Sequence, residues 1–208
     1  MAKLNKDMIS QKAIEIVNQQ GLAALSMRKL ARSLHVKAAS LYNHVDGKSQ
    51  LYDIMQEFLY SKMEPLKAGH EWKAHLTELA RRTREGLLKN PNMLHLFATR
   101  PTLSPYALQQ AETTIGTLMN AGFNAPQSMI IFRNLNVFVL GHVLAEVGRP
   151  PGADKNDKEP TIHQMNIDEF PLLQQASQNP TAINFDRGFE LALQCMFTGL
   201  EASLQQEA

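Results

Sequence analysis

Residues 26–48, SMRKLARSLHVKAASLYNHVDGK, decide how the chain is read. At helical spacing they make two short helices separated by a tight turn. Leu30, Ala31 and Leu34 fall on one helical face, and Val36 and Leu41 close over them. Arg28, Lys29, Arg32, Lys37, Ser40, Tyr42, Asn43, His44 and Lys48 are left to face outward or to sit at helix ends. A small apolar seam beneath a polar, partly basic face is the division a helix-turn-helix requires. The free side of its second helix is what enters a DNA major groove.

Charge supports this reading by where it lies, not by its total. The whole chain of 208 residues carries 21 Lys+Arg against 20 Asp+Glu. Residues 1–48 hold eight lysines and arginines against Asp7, Glu15 and Asp46, a surplus of five, so the rest of the chain is mildly acidic. A basic head on an acidic body suits a polyanion partner for the head alone, with a merely solvated face as the plainer alternative. Cys195 is the only cysteine, so no intrachain disulfide forms, and its apolar helical surroundings suggest a small buried hydrophobe. The N-terminus MAKLNKDM lacks the apolar stretch of a signal peptide, and no uninterrupted apolar run approaches the ~18 residues of a membrane span. The expected location is the cytoplasm, with no membrane partner.

The first helix is expected to start after Asn5, a good N-cap, and to run to about Gln19, with Ile9, Ala13, Ile16 and Val17 buried and Gly21 as its stop. Ser26 caps the second helix, which ends near Leu34. His35 then occupies the turn, where glycine is easier if φ is positive. The third helix spans roughly 37–43, and the fourth runs from Asp46-Gly47 to about Met63. Its stripe of Leu51, Ile54, Met55, Phe58 and Leu59 is wide enough to pack on both head and body, and no flexible linker precedes it. Further helices are expected at 72–89, from Pro91 to about Ala98, and at 104–121, 126–147, 168–177 and 182–205. Pro101, Pro105, Gly122, Pro126 and Pro180 mark breaks, and 148–167 reads as a mobile loop. The fold class is all-α: a three-helix head over 1–48, joined by a rigid helix at 47–63 to a helical body over 49–208.

Two of these helices carry more apolar surface than one face can bury. In 128–147 apolar residues occupy almost every face. In 183–204, Ile183, Phe185, Phe189, Leu193, Met196, Phe197, Leu200 and Leu204 cover more than one stripe. Either the helices lie wholly inside one chain, or 126–147 and 182–205 also form a two-fold interface as a four-helix bundle. The dimer is the expectation, because a helix-turn-helix usually needs two half-sites.

The stretch AIEIVNQQGLAALSMRKLARSLHV, followed by ASLYNHVDGKSQL, resembles the DNA-binding domain of the TetR family of bacterial transcriptional repressors. Leu41, Tyr42, His44, Val45 and Lys48 form its L-Y-x-H-[V/F]-x-x-K element. The body is similar to the tetracycline-repressor branch through Thr99-Arg100-Pro101, Gly122-Phe123, LGHVL at 140–144 and GFEL with GLE between 188 and 201. The resemblance implies that Arg28 reads guanine with its fork, that Lys37 and Ala38 approach bases, and that Ala39 and Ser40 offer small contacts such as one to a thymine methyl. It makes Tyr42, His44 and Lys48 phosphate contacts, with Asn43 able to do either.

The resemblance is looser at the ligand site. In tetracycline repressors a histidine before the TRP turn and a glutamate after the LG-VL segment help hold magnesium–tetracycline. Here His95 and Glu146 each stand one position from that spacing, with Leu96 and Ala145 in register, and one position turns a side chain by about 100°. Glu64 replaces a drug-binding histidine, and Leu79 and Thr83 replace an asparagine and a phenylalanine. The expected inducer is therefore a small molecule other than magnesium–tetracycline, with no metal site and no cofactor. It would occupy a cavity lined from Phe97, Arg100, Pro101, Phe132, Asn136 and Leu140, residues that otherwise simply pack the core. No G-x-S-x-G, phosphate-cradling glycine loop, H-E-x-x-H or Cys/His cluster supports an enzyme. The expected function is a homodimeric repressor released from palindromic double-stranded operator DNA by that molecule. The alternative is a non-specific architectural DNA binder without a ligand.

Overall fold

The computed structural model describes residues 4–62, 66, 71–100, 104–148, 169–177 and 184–207. It is helical, with no strand among the described residues. Contacts divide the chain into two compact units, Met1–Gly152 and Ala153–Ala208.

The first unit opens with α1 (Lys6–Gln20), begun where the Asn5 side chain accepts the Met8 N–H at 2.9 Å. It stops at Gly21, whose φ of 80° suits glycine. A single 3-10 turn, Leu22–Ala24, which local spacing did not suggest, leads to α2 (Met27–Ser33), α3 (Ala38–Tyr42) and α4 (Lys48–Ser61). Met63, the expected end of the fourth helix, lies outside the described residues. Ile9, Ala13, Val17, Leu30, Leu41, Leu51 and Met55 are buried in one cluster. Each of these side chains larger than alanine stabilises the fold by about 1.5–3 kcal/mol.

The body continues with α5 (Trp72–Lys89), a 3-10 turn at Pro91–Met93, α6 (Leu94–Thr99), α7 (Pro105–Asn120) and α8 (Ala125–Val147). The head's cluster does not end at residue 48, because Met93 and Leu96 belong to it. Asn18 reinforces this contact: its Nδ2 donates to Asn90 Oδ1 and its carbonyl accepts from Asn92 Nδ2, both at 2.9 Å. Helix α4 serves both regions. Its Leu51 and Met55 are buried in the head, and Ser10 Oγ donates to the Ile54 carbonyl at 3.1 Å, while Leu59 and Tyr60 face the body.

Helix α8 starts at a reciprocal cap, with Asn124 and Gln127 each accepting the other's backbone N–H at 2.9 Å. It buries Ser128, Ile131, Leu135, Val139 and Val143 along one stripe and leaves Ile130, Val137 and Leu144 exposed. Among the described residues it is the one helix long and apolar enough to cross a membrane. It buries one stripe, carries Arg133 and Asn136 on a neighbouring face, and leaves its other apolar side chains uncovered.

The second unit contains α9 (Pro171–Ser177), which begins later than residue 168, and α10 (Phe185–Glu207). Residues 149–168 and 178–183, including most of the expected loop and Pro180, lie outside the described residues. Helix α10 buries Phe189, Leu193 and Phe197 at four-residue spacing. Cys195 is exposed, not buried as its neighbours suggested. It lies two residues from Leu193, about 200° around the helix, so an apolar neighbourhood in sequence put it on the opposite face.

Candidate nucleic-acid interface and ligand cavity

The helix-turn-helix is built from caps and a seam. Ser26 Oγ accepts the Lys29 N–H at 3.2 Å and starts α2. At its end the His35 N–H reaches the Arg32 carbonyl at 3.1 Å, and the Val36 N–H reaches the Ala31 carbonyl at 3.0 Å. This pairing is the Schellman motif, which requires a left-handed residue between helix and strand-like exit. His35 fills that position with a φ of 55°. Leu30, Ala31 and Leu41 are buried and hold α2 to α3.

Outside that seam, Arg28, Lys37, Ala39, Tyr42, Asn43 and Lys48 are exposed, and Ala38, Ser40 and His44 are half-buried. Tyr42 leaves 53 % of its surface in solvent, unusual for an aromatic ring on a five-residue helix. Lys37 is the extended N-cap of α3 and not its first helical residue. Lys29 is held by Gln20, and the Lys48 ammonium lies 5.6 Å from the Tyr52 ring centroid.

In the body, residues of α4 to α8 line a partly open cavity of about 450 Å³. Thr83, Phe97, Arg100, Phe132, Asn136 and Leu140 line it. Asn136 turns its own amide to the Phe132 carbonyl at 2.8 Å. Tyr60, Gln110 and Arg133 also line the cavity and were missed from the sequence. Arg133 lies one residue after Phe132 and three before Asn136, at the edge of the same α8 stripe, whereas nothing local marks Gln110. Tyr60 meets Phe97 edge-on at 5.5 Å and Tyr106 at 6.1 Å. Burial raises the Tyr106 phenol above its ordinary pKa, with Arg82 pulling the other way.

Four residues considered for the ligand stand differently. Glu64 and Pro101 lie outside the described residues. His95 is exposed on α6 and does not line the cavity. Glu146 accepts the Arg84 fork, Nε at 2.9 Å and Nη2 at 2.7 Å, and is also absent from the lining. Neither His95 nor Glu146 is therefore placed to hold a magnesium–tetracycline complex in the cavity: the carboxylate pairs with Arg84 and the histidine is outside the lining. His142 packs its ring 5.8 Å from Phe138, as a histidine in an apolar setting does.

Arg100 connects the cavity to the head. It closes α6, its N–H reaching the Leu96 carbonyl at 3.1 Å. Its Nη2 donates to Ser49 Oγ at 2.9 Å and to Asp53 Oδ1 at 2.8 Å, both on α4. Its guanidinium lies 5.7 Å from the centroid of Tyr52, the ring that also carries Lys48.

A helix-turn-helix joined through one shared helix to a body with a ligand-sized cavity defines a DNA-binding regulator. The chain belongs to the tetR family of bacterial regulatory proteins, whose N-terminal domain matches residues 9–54, and its residues 64–204 match the tetracyclin repressor-like C-terminal domain. It is a transcriptional regulator and not an enzyme. The class E tetracycline repressor of Escherichia coli is 29% identical over 212 residues, covering 100% of this chain and 95% of that one. The crystal structure of apo ActR from Streptomyces coelicolor is 28% identical with a TM-score of 0.83, covering 100% of both chains. ActR in complex with actinorhodin is 26% identical with a TM-score of 0.82, again over 100% of both.

Proposed function

We propose that this regulator is a homodimeric repressor that holds a palindromic operator and leaves it when a small molecule other than magnesium–tetracycline fills the body cavity. The observation that carries the reading is Arg100, a cavity-lining residue hydrogen-bonded to α4 at Ser49 and Asp53. Helix α4 begins at Lys48, so a displacement at the cavity wall is passed to the head through a continuous helix. Arg28 and the exposed side of α3, with Lys37, Ala38, Ala39, Ser40 and Asn43, read bases in this account. Tyr42, His44 and Lys48 hold phosphates.

Dimerisation through 126–147 and 182–205 is supported by apolar side chains each helix leaves uncovered. Ile130, Val137 and Leu144 are exposed at seven-residue intervals on α8, and Leu191 is exposed on α10. A heptad row of apolar residues is the seam of helix pairing. That a relative has been solved with actinorhodin supports a cavity that takes a large organic ligand. A cytoplasmic location accords with a DNA partner.

Selection of bound sequences from random DNA by the full chain tests the reading. A dimer of this kind recovers a palindrome whose half-sites are about one helical turn apart, ~34–36 Å. Recovery of single half-sites, or equal salt-dependent affinity for every sequence, overturns it and favours an architectural binder.

A further inference from the structure

We infer that the cavity takes an aromatic carboxylate, and that its acid group binds Arg100 in competition with Asp53 and Ser49. The inference rests on the cavity being the ligand site and adds the chemistry of the ligand and the point at which it acts.

Among the described residues, the lining carries two guanidinium groups, Arg100 and Arg133, and no aspartate or glutamate. Outside the lining, Asp53 offsets Arg100, while Arg133 has no carboxylate partner among the described residues. An apolar wall with an excess of fixed positive charge favours an anion over a neutral ligand of the same shape. Tyr60, Phe97 and Phe132 supply aromatic surface around that charge.

Arg100 is the group prepared for a carboxylate. Its Nε–H is buried and has no hydrogen-bond partner among the described residues, while Nη2 of the same guanidinium is committed to α4. A buried donor left unmet is unfavourable, and a carboxylate is the acceptor that takes Nε–H and Nη2 together in a two-bond fork. The contact it displaces is weak. Asp53 keeps 55% of its side chain exposed and Arg100 33%, so water screens their attraction and re-solvates Asp53 on release. The acid therefore exchanges a screened ion pair for a two-bond fork on the same guanidinium. The polar tie between α6 and α4 opens one residue from Lys48, while the Tyr60–Phe97 ring contact remains.

The test uses the full chain, titrated calorimetrically with anthracene-9-carboxylate and with its neutral relative anthracene-9-carboxamide. The wild-type protein is expected to bind the acid about tenfold or more tightly than the amide, the scale of one charge-assisted hydrogen bond. Arg100→Gln is expected to remove that preference, and its affinity for the amide reports whether the cavity is still folded. Asp53→Asn, which removes the competitor, is expected to tighten the acid and leave the amide unmoved. Equal binding of acid and amide by the wild type overturns the anion while leaving the cavity a ligand site. A preference that survives in Arg100→Gln overturns the role of that residue. Binding of neither compound overturns both the anion and the aromatic ligand site on which it rests.

Discussion

Glu146 on α8 accepts both arms of the Arg84 fork on α5, at 2.9 and 2.7 Å, with only 20% and 15% of the two side chains exposed. This pair fastens two helices of the body one position from where the tetracycline-repressor resemblance puts a ligand carboxylate. Glu146→Ala leaves a largely buried guanidinium without its anion. The expected loss is about 2 kcal/mol of stability, less than the ~3–5 of a fully buried pair, measured by urea unfolding. Magnesium with tetracycline is expected to leave the melting temperature unmoved, and a rise that disappears in Glu146→Ala would contradict the structural role assigned to the residue.

His35 holds a left-handed conformation, φ 55°, that a side chain with a Cβ adopts at a cost of about 1–2 kcal/mol. Glycine removes that cost but gives the unfolded chain more freedom, worth about 0.5–1 kcal/mol in the other direction. His35→Gly is therefore expected to stabilise the head by a net ~0.5–1 kcal/mol in chemical denaturation. A destabilised variant would mean that the imidazole makes a compensating interaction.

The two kinds of DNA contact separate by their salt and sequence dependence. Arg28→Ala is expected to cost about 1–3 kcal/mol on the selected operator and to relax the preference at one base position. Lys48→Ala is expected to weaken all sequences alike and to reduce the slope of log affinity against log salt by about 1. Fluorescence anisotropy over a salt series distinguishes them, and an exchange of the two behaviours would reverse the assignments.

Val137 is 63 % exposed at the centre of the apolar row on α8. Ile130→Glu, on the same row and outside the cavity lining, puts two like charges at the expected two-fold interface without touching the buried stripe. Analytical ultracentrifugation should then find a monomer with an intact helical spectrum. A variant that stays dimeric places the interface elsewhere.

What the sequence disclosed was local. The Asn5 and Ser26 caps, the Gly21 stop and the burden on His35 each depend on a few adjacent residues, and all stand in the structure where spacing put them. Pairings between distant segments were not legible. Arg84 and Glu146 are 62 positions apart, and no periodicity joins them. Met93 and Leu96 complete the head's core from far along the chain, and Cys195 changes face through a single helical register. The cavity was half readable for the same reason. Its wall on α8 follows one stripe, whereas Gln110 and Tyr60 join it only through the packing of α7 and α4.

The central claim is that the cavity and the DNA-binding face are coupled through α4, and such coupling is reciprocal. The affinity for anthracene-9-carboxylate, measured on the free protein and on protein saturated with its selected operator, tests it most directly. The account predicts weaker binding on the operator complex, by about tenfold or more, with complete switching requiring ~10⁴-fold. Equal affinity in the two states would contradict it.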